Sequence, residues 1–318
     1  MIVSILLLIV GFVLLVKGAD FFLSGASALG VKFKMPQIVI GLTIVAFGTS
    51  LPELFINIIG SVQKNNDIIL GNIIGSNIFN ILIILGISAL IYPIRAKRNT
   101  VLKEVPFVVL TSIILLVLAN DELFGESFSA LSRGDGIILL IGMLYFLRYL
   151  YKLSKNESCD DEIVCIKSEV KIGFYIAFGL AGLIIGGHFV VNSAIDIAKF
   201  FGVSDKIIAL TIISIGTGLP ELVTSIMAVL RKNSSIAIGN IVGSNIFNTL
   251  LVVGASVIIH PVTFSTSIYF PDFLMMIFAS IVLFVVLLVF KVSTIKKSEG
   301  IVMILLYIAY MVYNFYRI

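Results

Sequence analysis

The chain has 318 residues, 59% of them hydrophobic and only 13% charged, with a mean hydropathy of +1.15. A chain this apolar cannot clothe a soluble domain in charge, so it belongs in a bilayer. Its net charge of +4 comes from basic residues scattered along membrane-edge loops, which excludes the gathered patch a nucleic-acid-binding surface needs.

Apolar runs able to cross a hydrocarbon core of ~30 Å recur from end to end. In chain order they are Ile2 to Leu29, Pro36 to Val62, Ile68 to Tyr92, Val101 to Ala119, Gly136 to Leu153, Ile172 to Phe201, Ile207 to Leu230, Ile236 to Ile259, Pro271 to Phe290 and Ile301 to Tyr316. The first could pass for a secretory signal because Ala26, Ser27 and Ala28 mimic a cleavage site. No basic residue precedes it, however, so it is expected to stay as a span. The polar segment 154–171 carries Cys159 and Cys165 beside Glu157, Asp160, Asp161 and Glu162. It reads as a solvated linker whose cysteines form no structural disulfide.

Sixteen of the 22 Lys and Arg residues fall at alternate junctions and five on the other side, Lys17 lying within the first span. Orientation follows such counts, so both termini are expected outside a cell membrane and the 154–171 linker in the cytoplasm.

Residues 42–80 match residues 210–248 without a gap at a constant offset of 168, with 22 of 39 positions identical. That is a duplication. Each copy holds five spans, an odd number, so the second enters the membrane from the opposite side. The expected fold is all-α, with ten transmembrane helices arranged as two inverted five-helix repeats, 1–153 and 172–318, and broken helices at the centre. Inverted repeats are the architecture of secondary transporters. A passive scaffold would repeat its apolar faces, whereas here the identity concentrates in glycine and polar positions.

The second span contains Gly48-Thr49-Ser50-Leu51-Pro52-Glu53 and the seventh contains Gly216-Thr217-Gly218-Leu219-Pro220-Glu221. Proline removes an amide donor and clashes with the preceding turn, so each helix should break and bare carbonyl oxygens at mid-membrane. Ser50 to Glu53 also fits a capping box, which explains a helix start but not a carboxylate placed at each of two breaks. If the breaks converge, carboxylates ~5 Å apart repel by ~3 kcal/mol at an effective dielectric of ~20. Such a pair calls for a positive guest: a divalent cation, several monovalent ones, or protons. Thr49, Ser50 and Thr217 add hydroxyls at the same depth.

The third and eighth spans supply Asn72, Ser76, Asn77 and Asn80, then Asn240, Ser244, Asn245 and Asn248. Ser76 and Ser244 read as ligands, Asn77 and Asn245 as interhelical hydrogen-bonding glue, and the other asparagines fall between the two. Every candidate donor is a hard oxygen, which suits calcium or sodium and not zinc or copper. Lys17, Asp20 and Asp196 lie near helix ends, where a local pair or snorkelling accounts for them, and His188 and His260 lie outside both motifs.

These motifs resemble those of the calcium/cation antiporter superfamily, in particular its prokaryotic sodium/calcium exchangers. Gly41 to Glu53 with Gly71 to Asn80, and Ala209 to Glu221 with Gly239 to Asn248, match the two repeats of that family. The resemblance implies an antiporter that exchanges calcium for sodium without enzymatic activity, nucleic acid or an obligate protein partner. It implies no cofactor, only the transported calcium and sodium. Carried over, the ion ligands are Ala46 through its carbonyl, Thr49, Ser50, Glu53 and Ser76, then Ser214, Thr217, Glu221 and Ser244, with Asn80 and Asn248 beside them. Two positions depart from the family pattern: Gly218 replaces a hydroxyl residue and Ser214 replaces alanine. Asn248, where potassium-dependent members tend to carry aspartate, points away from potassium. Calcium/proton exchange is the nearest alternative, and a cation channel would gain nothing from an inverted duplication.

Overall fold

A computed structural model describes residues 2–121, 129–156, 168–202, 214–289 and 293–317. Its helices are α1 Ile2–Lys32, α2 Gln37–Thr49, α3 Leu51–Val62, α4 Asn66–Ile91, α5 Thr100–Ala119, α6 Arg133–Asn156, α7 Glu169–Phe200, α8 Leu219–Leu230, α9 Ser234–Ile259, α10 Thr266–Val289 and α11 Lys297–Arg317. Among the described residues, eight helices are long and apolar enough to cross a membrane, or nine with the bent pair α2 and α3 counted as one span. The seventh expected span lies partly outside the described residues and is represented by α8 with a helical turn at Ser214–Gly216. The acidic run, both cysteines and most of the linker also lie outside them.

The helices begin close to where the apolar runs do, except α10. It starts at Thr266, ahead of Pro271, which the sequence placed at its first turn. The Ser265 carbonyl accepts from the amides of Ile268 and Tyr269, at 3.1 and 3.3 Å, and these bonds start the helix before the proline is reached.

α4 and α9 are the most enclosed spans and form the centre, while α1, α7 and α11 show most of their surface outward. The long pair α1 and α7 touches backbone to backbone because glycines line both. A Cβ on Gly18 would lie 2.8 Å from the Leu183 amide nitrogen, and one on Gly11 2.9 Å from the Gly186 carbonyl. Gly11 and Gly18 stand 168 residues before Gly179 and Gly186, so the crossing is related to itself by the same offset as the motifs. Lys32 and Glu169 join the ends of this pair at 2.6 Å.

α9 seals against α2 in a second close approach, where a Cβ on Gly239 would lie 2.9 Å from the Ile38 carbonyl and one on Gly243 2.6 Å from the Ala46 Cβ. Small residues let helices meet this closely where no water drives them together. Two short antiparallel ribbons tie loops together: β1 (Ile94–Arg95) pairs with β4 (Thr294–Ile295), and β2 (Ser129–Leu131) with β3 (Val262–Phe264).

Candidate cation site

The second span is bent by 44° between α2 and α3. Pro52 occupies the first turn of α3, where a missing amide costs least, and Ser50 is the hinge residue at φ −82° and ψ 4°. Gly218 holds the same place before α8 at φ −79° and ψ 0°, with Pro220 in the first turn. Both glutamates therefore project from the first turn of a helix that starts inside the protein, and both are buried, Glu53 to 1% exposure and Glu221 to 0%. Ser50 makes no capping bond. Its hydroxyl instead crosses to the other repeat and donates to Glu221 Oε1 at 3.3 Å, which displaces the capping-box reading.

The Glu53 and Glu221 carboxylates are close enough to interact electrostatically. The two hinges are thus brought together across the repeats. The threonines cross over in the same way. Thr49 donates to Asn240 Oδ1 at 3.1 Å, and Thr217 to Asn72 Oδ1 at 3.4 Å. Each of these asparagines returns a donor to its own repeat: Asn72 to the Glu53 carbonyl and Asn57, Asn240 to the Glu221 carbonyl and Ser225. Asn72 and Asn240 thus act as struts that lock α3 to α4 and α8 to α9.

Asn72, Ser76 and Asn80 share one face of α4 at a spacing of four, as do Asn240, Ser244 and Asn248 on α9. Both runs end in a π-helical turn, Asn80–Ile84 and Asn248–Val252, a feature that collects at functional sites. Asn80 donates to Asn245 Oδ1 at 3.4 Å and Asn248 to Asn77 Oδ1 at 3.2 Å, again as a related pair. Asn77 also donates to Thr249, so the glue role expected for Asn77 and Asn245 is what they perform.

These bonds leave several buried oxygens over, along with the Asn245 amide nitrogen. Glu53 Oε2, Glu221 Oε2, Asn80 Oδ1, Asn248 Oδ1 and Ser244 Oγ are all buried without a hydrogen-bond partner. Buried oxygens in such a state are costly unless a positive guest meets them. Among the described residues no group of three or more His, Cys, Asp or Glu side chains is assembled, so the donor set is two carboxylates with neutral oxygens. That composition fits a hard cation such as calcium or sodium. Ser76 is buried and lines, with Asn72 and Thr217, a cavity of about 670 Å³ that extends along α4 to Asp67 and Arg317.

Ala46 is buried at the start of the turn Ala46–Thr49, and its carbonyl already accepts from the Ser50 amide at 3.0 Å. The side chain of Ser214 lies outside the described residues. Asn57 and Ser225, the partners of the two asparagine struts, escaped the sequence reading because they differ between the repeats.

The sodium/calcium exchanger protein family matches residues 3–152 and 171–316, nearly the whole chain. The chain belongs to the sodium/calcium exchanger family. It is a calcium/cation antiporter and a multi-pass membrane protein. Among relatives, the inner membrane protein YrbG of Escherichia coli is 35% identical over 89% of this chain and 88% of its own. The sodium/calcium exchanger MaX1 of Methanosarcina acetivorans is 31% identical over 99% of each chain. A solved structure of the exchanger NCX_Mj, soaked with 2.5 mM Na⁺ and 1 mM Sr²⁺, superposes with a TM-score of 0.84 at 30% identity over 98% of each chain.

Proposed function

We propose that this exchanger moves calcium against sodium by alternating access around Glu53 and Glu221. The observation that carries the reading is a group of five partnerless buried oxygens on the two motifs, two of them from carboxylates, with the Ser50 hydroxyl of one repeat reaching the glutamate of the other. Two buried carboxylates cannot both stay charged without a cation, and they hold one calcium or several sodium ions but not both loads at once. That mutual exclusion is what couples the two fluxes.

In this reading Glu53, Glu221, Thr49, Thr217, Ser50, Ser76 and Ser244 ligate through side chains, Ala46 through its carbonyl, and Asn80 and Asn248 through their free amide oxygens. Ser214 joins them from the second repeat. The chain forms ten spans in two inverted halves, 1–153 and 172–318, with both termini outside and the linker in the cytoplasm. Support comes from the recurrence of hinge geometry, asparagine struts and π-helical turns at one constant offset of 168. The lipid-facing pair α1 and α7, held together by glycine contacts, is the element that shifts against the enclosed centre.

The test is calcium uptake into vesicles holding the pure protein, driven by an outward sodium gradient. Uptake that collapses with the sodium gradient supports the reading. Uptake that ignores sodium and follows a proton gradient replaces it with calcium/proton exchange.

A further inference from the structure

The duplicated site is lopsided at one position. Ser50 and Gly218 are related by the 168-residue offset and share a backbone conformation, φ −82° with ψ 4° against φ −79° with ψ 0°. Any residue adopts those angles, so nothing in the backbone asks for glycine at 218. What distinguishes the two places is space. A Cβ on Gly218 would lie 2.9 Å from both Cδ1 and Cε1 of Phe79, a buried ring set edge-on against Tyr307 with centroids 5.7 Å apart. The related ring, Phe247, sits beside Phe47, also at 5.7 Å, and Ser50 reaches Glu221. Glu221 therefore has a hydroxyl from the opposite hinge, whereas the hinge opposite Glu53 offers none and a phenyl edge fills the space its side chain would need.

A hydroxyl in this position both donates to a carboxylate and offers a lone pair to a cation. Calcium draws on the shared oxygens of both glutamates, so it feels the loss of one peripheral oxygen least. Several sodium ions bound together need oxygens on both flanks, so the loss falls on them. Resting on the calcium/sodium reading above, we propose that the missing hydroxyl at Gly218 sets the sodium load of this exchanger, with the Glu53 flank holding less sodium than the Glu221 flank and Phe79 only filling the vacated space. The chain then trades each calcium for fewer sodium ions than a site with both hydroxyls would.

The experiment is a paired isotope flux, sodium against calcium, in vesicles holding the full-length protein, together with the Hill coefficient for sodium. F79L/G218S makes room for the missing hydroxyl and supplies it. The sodium-to-calcium ratio and the Hill coefficient should rise, by up to one ion per cycle, while F79L alone leaves both at the wild-type value. Ser50→Gly removes the existing hydroxyl and should lower both, and it keeps the proposal testable if the double variant does not fold. The proposal is overturned if F79L/G218S matches wild type, if F79L alone gives the rise, or if Ser50→Gly changes nothing. Sodium coupling that survives with an unchanged ratio sinks this inference alone. Calcium uptake that never depended on sodium sinks the parent reading with it.

Discussion

The two glutamate-bearing crossings are built to one plan and finished differently. Before Glu53 the chain runs through a π-helical turn at Gly41–Val45 and hinges at Ser50, whose hydroxyl is spent on the opposite glutamate. Before Glu221 it hinges at Gly218, which has no side chain to spend. The strut of α4 braces on Asn57 and that of α9 on Ser225. What recurs is what a shared cation needs from both sides: a carboxylate, a threonine, an asparagine strut and a free amide oxygen. What varies is what touches only one flank. Duplication supplied two equal halves, and the differences mark where the load on one side need not equal that on the other.

The strongest challenge to this equivalence is to neutralise each glutamate in turn. E53Q and E221Q should each abolish sodium-driven calcium uptake and weaken calcium binding by roughly 100-fold, because affinity at an all-oxygen site follows its ligand charge. Isothermal titration of the pure protein measures it. Full transport by either variant would show that one carboxylate suffices and would end the paired-site account.

A second comparison sets the pair α1 and α7, proposed to move, against the sealed pair α2 and α9. Gly18→Leu forces a side chain where the Leu183 amide nitrogen now stands 2.8 Å from the would-be Cβ, and Gly239→Ala does the same against the Ile38 carbonyl at 2.9 Å. Overpacking of this kind costs about 1–3 kcal/mol, and more against backbone. Both variants should lower thermal stability in detergent. If α1 and α7 travel as one body, as proposed, Gly18→Leu should also stop transport.

A third comparison separates oxygens that hold the protein from oxygens left free. Ser244 Oγ has no internal partner, so Ser244→Ala sacrifices no internal hydrogen bond and should leave the melting temperature near wild type while calcium affinity falls about tenfold. Asn77 donates to Thr249 and accepts from Asn248, so Asn77→Ala should cost about 1–3 kcal/mol of stability first and alter affinity only through the loosened Asn248. The reverse pattern would exchange the roles of ligand and glue.

Glu53, Glu221 and the hydroxyls beside them were legible from the sequence because a proline and a carboxylate at mid-span are expensive and occur twice. The duplication made the fold legible for the same reason. The division of labour among the asparagines was only half legible: Asn72 and Asn80 share a helix face, yet one carbonyl oxygen is taken by Thr217 and the other is free. That difference depends on which helix lies opposite, which spacing does not reveal. The π-helical turns at Asn80 and Asn248 carry no compositional mark, since the residues within them, Asn, Ile, Leu, Thr and Val, serve an ordinary apolar helix equally well. Phe79 carries no signal in the sequence, and only the structure shows its ring in the space a Cβ on Gly218 would need.

The smallest expected effect tests the halves at their edge. Arg231, just past α8, donates to the carbonyl and carboxylate of Asp20 and to the Ser24 hydroxyl on α1. At the related positions stand Gln63, His188 and Asn192, where His188 bonds Asn192 within its own helix. One face thus joins α1 to the centre through a charged pair, and the duplicated positions offer no ion pair for the other. The side chains of Arg231 and Asp20 are 34% and 46% exposed, so solvent leaves the pair worth only ~0.2–1 kcal/mol. If α1 and α7 shift during transport, that energy enters the rate and not the affinity. R231Q and D20N should then change initial calcium uptake in the same direction by up to about fivefold with calcium affinity unchanged, and the swap D20R/R231D should move the rate back toward wild type. Rates that stay at the wild-type value in all three variants would mean that the pair survives the whole cycle, and that α1 moves with α8 and not past it.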